Sequence, residues 1–428
     1  MENVKFINDA KIRAGFAITG NERIGNRDYD AQLTTGNFYT GINGVGLSSR
    51  LANPSIQWEE TRQTNIGLDL SLLNRRVNIT VDYYTKKTVE LLANQPLPAE
   101  TGLTDVRVNL GDVQNRGFEF SIQATPYQSA NFAWRTNFNF STNSNKVLRL
   151  AAGVPIVSSS YITREGSPLG SFYGYTMLGI FPYDESNAFS PNGQPLTANF
   201  DASGNFTGYT QGGKAYSGDV KKISVAGAVA KGGDFYWQDN NGDFRIDEQD
   251  RTILGNPYPK YFGGFRNEFT YKHFSFSFLF DYQFDVQVYN SFMQNLSQLK
   301  DNAPTPPPYV LENFWEGPGD ETAIFPGGTR RVQNQLGGSA PTSYWVEDAD
   351  FIKLRNVKLS FNLPTSFVER FKISDMAVYA SVNNALVWTN YRGFDPEVNV
   401  AGSPLSAGQD NARYPRGREY ILGLNVNF

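Results

Sequence analysis

Phe274-Ser-Phe-Ser-Phe-Leu-Phe-Asp-Tyr-Gln-Phe-Asp-Val-Gln-Val288 is the stretch whose reading decides the fold. Phe274, Phe276, Phe278, Phe280, Tyr282, Phe284, Val286 and Val288 share one parity; Ser275, Ser277, Leu279, Asp281, Gln283, Asp285 and Gln287 share the other. Side chains alternate across a strand, so the spacing predicts one long strand with an apolar outer face and a largely polar inner one. An ordinary strand has about 5–6 residues, whereas one that crosses a bilayer at a tilt needs about 9–11. The inner face of a soluble β-sandwich would alternate too. Length and aromatic content favour the bilayer, and that signal gains weight only by repetition.

The repetition runs along the chain. Lys11–Thr19 is a first candidate strand. Ile66, Leu68, Leu70 and Leu72 alternate with Asn65, Gly67, Asp69 and Ser71; a tight turn at Asn74-Arg75 leads to Val77, Ile79, Val81 and Tyr83, set against Asn78, Thr80, Asp82 and Tyr84. Phe118, Phe120, Ile122 and Ala124 form a fourth apolar row, and Phe132, Trp134, Phe138 and Phe140 a fifth. Tyr261–Tyr271 joins the opening stretch through Lys272-His273. Val357, Leu359, Phe361 and Leu363 follow, then Val378, Ala380 and Val382, then Tyr420, Leu422, Leu424, Val426 and Phe428. Ser291–Lys300 has Met293, Leu296 and Leu299 at a loose helical spacing.

The connections alternate long and short. Short turns on one side and long loops on the other are the asymmetry of outer-membrane barrels. The expectation is an all-β, antiparallel transmembrane β-barrel portion spanning 1–428, with long extracellular loops at about 20–60, 88–112, 142–260, 290–343 and 391–417. Ten strands are counted, and two more near Ser171–Phe181 and Asp234–Trp237 would keep the parity. Ten to twelve strands would suffice to close a small barrel.

Composition agrees. Hydrophobic residues make up 40% and aromatics 14%, with 32 Phe and 23 Tyr. Mean hydropathy is −0.43, as expected where lipid-facing and lumen-facing residues average out. The net charge of −4 without a basic run argues against nucleic acid as a partner. The absence of cysteine excludes disulfides and thiol chemistry. Met1-Glu-Asn-Val-Lys-Phe-Ile-Asn carries no secretory leader, so an outer-membrane reading expects the chain to be a piece of a longer one.

Several motifs resemble one family. Asn53-Pro54, Gln57-Trp58-Glu59-Glu60-Thr61, Asn65-Ile66-Gly67-Leu68-Asp69, Asp82-Tyr83-Tyr84 with Lys86-Lys87-Thr88, and Asn115-Arg116-Gly117-Phe118-Glu119-Phe120 are similar to the SusC/RagA family of TonB-linked outer-membrane transporters. So are Gly255-Asn256-Pro257, Arg392-Gly393-Phe394-Asp395-Pro396-Glu397 and Gly423-Leu424-Asn425-Val426-Asn427-Phe428. The resemblance covers nearly the whole chain in order. It implies the C-terminal half of a 22-stranded barrel whose plug domain and TonB box have no counterpart in this sequence. It also implies import of glycans or peptides too large for porins, a SusD-like surface lipoprotein as lid, energy from the TonB complex, and the outer membrane of Gram-negative, Bacteroidetes-type cells. Phe428 resembles the terminal aromatic by which the barrel-assembly machinery recognises such chains. A non-transporting β-rich surface adhesin or glycan-binding protein is the alternative.

One loop carries candidate metal ligands. Asp239, Asn241 and Asp243 stand at positions one, three and five of a calcium loop, Asp247 at nine and Asp250 at twelve. Phe244 replaces the usual Gly at position six, and Asp250 is shorter than the usual Glu. The other reading is an acidic, solvated turn. An enzyme is not expected. The single His273 sits in a tight turn, so Cys/His pairs and transition-metal clusters are excluded. Asp/Glu pairs are plentiful in the loops, so residue type alone leaves a glycosidase open. Tyr173, Tyr175, Phe314, Trp315, Tyr344 and Trp345 are loop aromatics that suit stacking on sugar rings or packing against loops and lid equally well.

Overall fold

A computed structural model describes residues 6–21, 29–39, 41–151, 153–297, 305–327, 341–398 and 403–428. Its frame is one antiparallel sheet with ten strands in sequence order. They are β1 (Ile7–Asn21), β2 (Glu59–Leu72), β3 (Val77–Val89), β4 (Gly111–Gln128), β5 (Phe132–Thr142), β6 (Tyr261–Tyr271), β7 (Phe274–Phe284), β8 (Phe351–Asn362), β9 (Asp375–Thr389) and β10 (Glu419–Asn427). Ser144–Leu150 adds an eleventh segment along the upper part of β4. Each strand pairs with its sequence neighbour, as a meander dictates, and β1 and β10 are the two edges among the described residues.

The register puts the expected apolar residues on one face. Tyr127 pairs Trp134, Trp134 pairs Phe269, Phe269 pairs Phe276, Phe276 pairs Leu359, Leu359 pairs Ala380 and Ala380 pairs Leu422. Directly opposite residues share a face, so this is one apolar row across seven strands. Among the described residues no layer covers it: Ile12 is 81% and Leu422 85% exposed. The opposite face is polar. Arg13 reaches across two strands to Asp69 (2.7 Å) and Asp82 (2.9 Å). Two tyrosines of this face lie over directly paired glycines, Tyr84 over Gly117 and Tyr379 over Gly423, and on the apolar face Tyr282 lies over Gly263 in the same way. A Cβ at Gly423 would come within 2.3 Å of the Tyr379 ring, so a larger residue would displace it.

The short connections are 73–76, 129–131, 272–273 and 363–374, all at one end of the sheet. The last of them holds a short helix at Thr365–Val368. The long connections leave from the other end and build small sheets of their own.

Three sequence expectations are corrected here. The opening stretch is not a single strand to Val288. It ends at Phe284, because Asp285 adopts φ = 57° and turns the chain. Gln287–Asn290 then pairs with Val346–Asp348 and with Gln409–Asp410, so Val286 and Val288 are buried among loops rather than outward. The two extra strands are not barrel strands. Ser171–Gly174 pairs with Thr252–Gly255, and Met177–Ile180 pairs with Phe235–Trp237, both within the long connection after β5. Phe181 and Trp237 are buried within that connection and Phe172 against residues of the next one, which removes any need for a bilayer. Finally, the 291–300 helix runs Ser291–Leu296, and Leu299 lies outside the described residues.

Candidate functional site

The long connections do not hang free. They interlock through buried clusters. Tyr175, Phe181, Phe189, Ile223, Val225, Trp237 and Ile246 form one inside the 143–260 connection. Tyr161 and Phe172 from that connection meet Tyr289, Val310, Phe325 and Trp345 from the next. Val286, Val288 and Ala349 meet Tyr391 and Val398. Leu110, Val113, Val147, Leu150 and Leu169 tie the β3–β4 connection to the one after β5. The first set is a core built by one connection alone, and the other three are buried by pooling residues from separate segments.

The six loop aromatics divide accordingly. Tyr175 (3% exposed) and Trp345 (5%) are core residues. Phe314 and Tyr344 pack on the same cluster as Trp345. Tyr173 lies under the Arg251 guanidinium, 4.5 Å from the ring centroid. Trp315 donates to the Pro182 carbonyl (3.3 Å), and a Cβ on Gly233 or Gly327 would strike its ring. Their rings pack against neighbouring loops of this chain.

An ionic lattice fastens the last long connection to the inner wall. Lys353, on β8, reaches Asp395 (2.5 Å) and Glu397 (2.7 Å). Arg355 lies at the β8 bulge and bonds Asp281 of β7 and Glu397. Burial alone would raise both loop carboxyls. The hydrogen bond from Lys353 holds Asp395 below the usual range, and those from Arg355 and Lys353 hold Glu397 below it. A second set adjoins it. Arg392 bonds Glu347 (3.1 Å) and stacks over Tyr344 and Trp345; Glu347 also accepts from Asn290 (3.0 Å). The Tyr391 hydroxyl donates to Asp410 (2.8 Å), and burial followed by this carboxylate keeps the phenol protonated.

The 239–250 loop folds as a tight turn. Asp239 accepts from the Gly242 (2.7 Å) and Phe244 (2.8 Å) amides. Asn241 accepts from Asp243 N–H, and Asp243 from Arg245 N–H. Asp247 caps the following turn through Gln249 N–H. Asp250 is fully buried and accepts from the Asn240 and Asp247 amides, with burial raising its carboxyl. Phe244 takes φ = 63°, the left-handed position that normally favours glycine. The side-chain oxygens therefore cap the loop's own backbone, and no group of three or more Asp, Glu, His or Cys among the described residues is arranged to hold a metal.

His273 is exposed in its turn and packs edge-on to Phe361 at 6.2 Å. What the loop end does offer is a ligand-sized recess of about 650 Å³, lined by residues that include Gln95, Pro98, Asn109, Val154, Ile156 and Val157. The sequence reading missed this recess and the Lys353–Arg355 lattice. Its one available signal was the Arg392–Glu397 motif, whose carboxylates prove to be the loop half of the lattice.

Comparison with known proteins follows from this geometry. A family model described as "TonB dependent receptor-like, beta-barrel" matches residues 4–219. The chain is 44% identical to TonB-dependent receptor P39 of Formosa agariphila, over all of this chain and 41% of that protein. It is 25% identical to TonB-dependent receptor SusC of Bacteroides thetaiotaomicron, over all of this chain and 38% of that protein. The RagAB peptide transporter structure superposes over all of this chain and 42% of its own, with a TM-score of 0.73 at 23% identity. The chain thus spans about two fifths of the length of the curated relatives it matches.

Proposed function

The chain belongs to the TonB-dependent receptor-like β-barrel family, and from that premise we propose that it is the C-terminal part of an outer-membrane barrel that imports large nutrients. The long connections lie outside the cell and the short turns in the periplasm. The observation that carries this reading is the ten-strand sheet itself, with an uncovered apolar face and a polar inner one. In hydrocarbon every backbone group needs a partner, which a closed barrel supplies. The rest of a longer protein contributes the remaining strands, a plug and the coupling to TonB. A SusD-like surface lipoprotein seats on the interlocked loops as lid, and the substrate is a peptide or an oligosaccharide handled at the loop end and recess.

The geometry of the 239–250 loop supports a structural role best, with its carboxylates capping backbone amides. A bound Ca²⁺ is the alternative that titration decides.

The test is uptake by whole cells. Deleting the gene in its own bacterium abolishes TonB-dependent accumulation of one labelled class, peptide or oligosaccharide, and the full-length gene restores it. Unchanged uptake of both, with loss of surface adhesion or glycan binding, would replace this reading by that of a non-transporting surface protein.

A further inference from the structure

From β2 to β7 the apolar face of the sheet ends at a definite row, while on β1 Phe16 and Ile18 carry it further, to the level of Thr64 and Arg62. Ile66 pairs Tyr83, and Tyr83 pairs Phe118. Phe118 N–H donates to Thr142 Oγ1 (2.9 Å); Thr142 pairs Tyr261, and Tyr261 pairs Phe284, the last residue of β7. Beyond this row, toward the long connections, the outward positions of β2, β3 and β4 continue but their chemistry changes. Arg62 and Lys87 are direct cross-strand partners. Lys87 pairs Gln114, and Gln114 pairs Lys146. Arg116 takes the adjacent outward position of β4, between Gln114 and Phe118. Neighbouring strands lie about 4.8 Å apart, so the cations occupy about 14 Å of the rim.

Their orientation follows from the residues between them. Val113 and Val147 pair with each other and are buried on the opposite side, while Arg116 and Lys146 are exposed. Like charges placed opposite one another in a sheet repel. Glu60 answers Arg62, and Asp112 answers Lys87 at 3.0 Å while also serving Arg149. Arg116 and Lys146 form no ion pair among the described residues. β2, β3, β4 and the Ser144–Leu150 segment therefore present an excess of outward cations beyond their apolar rows.

We propose that this cationic row is a docking surface for the phosphate groups of the outer-leaflet glycolipid, an inference that rests on the outer-membrane reading above. The position selects the ligand. Where an apolar face meets acyl chains, the next step outward lies at headgroup level, and Tyr83 and Phe118 stand there as interfacial aromatics. Arg62 and Arg116 supply planar guanidinium forks matched to phosphate oxygens, and Lys87 and Lys146 supply point charges. A site for a soluble anion would have no reason to continue an acyl-facing surface.

The test uses the full-length transporter, purified from outer membranes in detergent. It is titrated with phosphorylated lipopolysaccharide, with the same glycolipid enzymatically dephosphorylated, and with inorganic phosphate. The wild type binds the phosphorylated form and discriminates against the dephosphorylated one. Arg116→Gln/Lys146→Gln loses roughly tenfold or more in affinity. Arg135→Gln/Arg266→Gln, an equal charge change on the inner face, does not. Equal affinity for the two glycolipids, or an unchanged Arg116→Gln/Lys146→Gln variant, overturns the docking surface. Competition by millimolar inorganic phosphate assigns the row to a soluble anion and overturns it as well. Wild-type protein missing from the outer-membrane fraction would instead bring down the barrel reading on which this inference stands.

Discussion

In the ten-strand sheet the large apolar side chains point away from the protein, and in the long connections they point into it. Phe276 is 39% exposed on β7, while Phe172, in the connection after β5, is fully buried. Among the described residues, the buried apolar ones that belong to the ten strands are Val113, Phe351 and Ala377. The sheet is thus built without a core of its own, because hydrocarbon takes that part. The loops reach out of hydrocarbon and must assemble a core from one another. The transition is local. On β7 the outward run from Phe274 to Phe284 covers about 34 Å of strand, or about 26 Å of height at the usual barrel tilt. At Asp285 the backbone turns, and two residues of the same parity, Val286 and Val288, go into the loop core.

The largest effect is expected from emptying the loop core. Phe172→Ala costs about 3–5 kcal/mol in the loop assembly. Limited proteolysis of the intact protein cuts within 143–350 at much lower protease concentration, while the barrel keeps its heat-modifiable migration. Loss of both together would show that the two regions are one cooperative unit.

Breaking the lattice between the regions comes next. Lys353→Met leaves Asp395 without its cation at a site where both side chains are about nine-tenths buried, at a cost of roughly 3 kcal/mol. Asp395 and Glu397 have folded pKa values below their unfolded ones, so their contribution is complete above about pH 4.5 and is lost as pH falls through the lowered values. The wild-type 391–418 connection therefore becomes protease-sensitive on acidification below that point. In Lys353→Met it is sensitive at neutral pH already, and acid adds little. An identical acid profile in both would remove the lattice from the account.

On the sheet, the medium decides. Phe278→Arg places a charge near mid-height of the outward face and costs roughly 2–3 kcal/mol, whereas Phe278→Leu costs less than about 1.5 kcal/mol. Quantitative blotting of outer-membrane fractions reads both. Equal loss would mean that shape rather than polarity matters there, as in a packed core.

The smallest effect is expected at the 239–250 loop. Calorimetric titration of the intact protein with Ca²⁺ gives the same isotherm for wild type and for Asp239→Ala/Asp243→Ala, since those carboxylates cap backbone amides. Heat present in the first and absent in the second would restore a calcium site.

How much of this was legible in the sequence follows from the range of each signal. Period-two alternation repeats within a strand, so β2 to β10 could be read directly, and Tyr261–Tyr271 appears with the bounds expected. The end of β7 could not. The pattern runs on through Val288, and only the backbone at Asp285 interrupts it. The loop core was hidden because its members lie far apart in sequence, within one connection or in separate ones. Phe172 meets Tyr289, and Tyr175 meets Trp237, at separations no local pattern encodes. The same distance hid Lys353 from Asp395, although Asp395 stands within the Arg392–Glu397 motif. The aromatic loop residues looked equally suited to sugars or to packing, and their surroundings decide for packing.

The central claim is that the outward face of β7 meets lipid and that this ends at Asp285. The chain has no cysteine, so single-cysteine spin labels can be placed without background, one at a time from Phe274→Cys to Val288→Cys, in the intact protein in bilayers. Accessibility to oxygen and to a water-soluble nickel chelate is then measured at each position. The account predicts a period-two alternation from 274 to 284, with oxygen favoured at Phe274, Phe276, Phe278, Phe280, Tyr282 and Phe284. It also predicts low access to both reagents at Val286 and Val288. Uniformly low access at the even positions from 274 to 284 would place them in a protein core and contradict it.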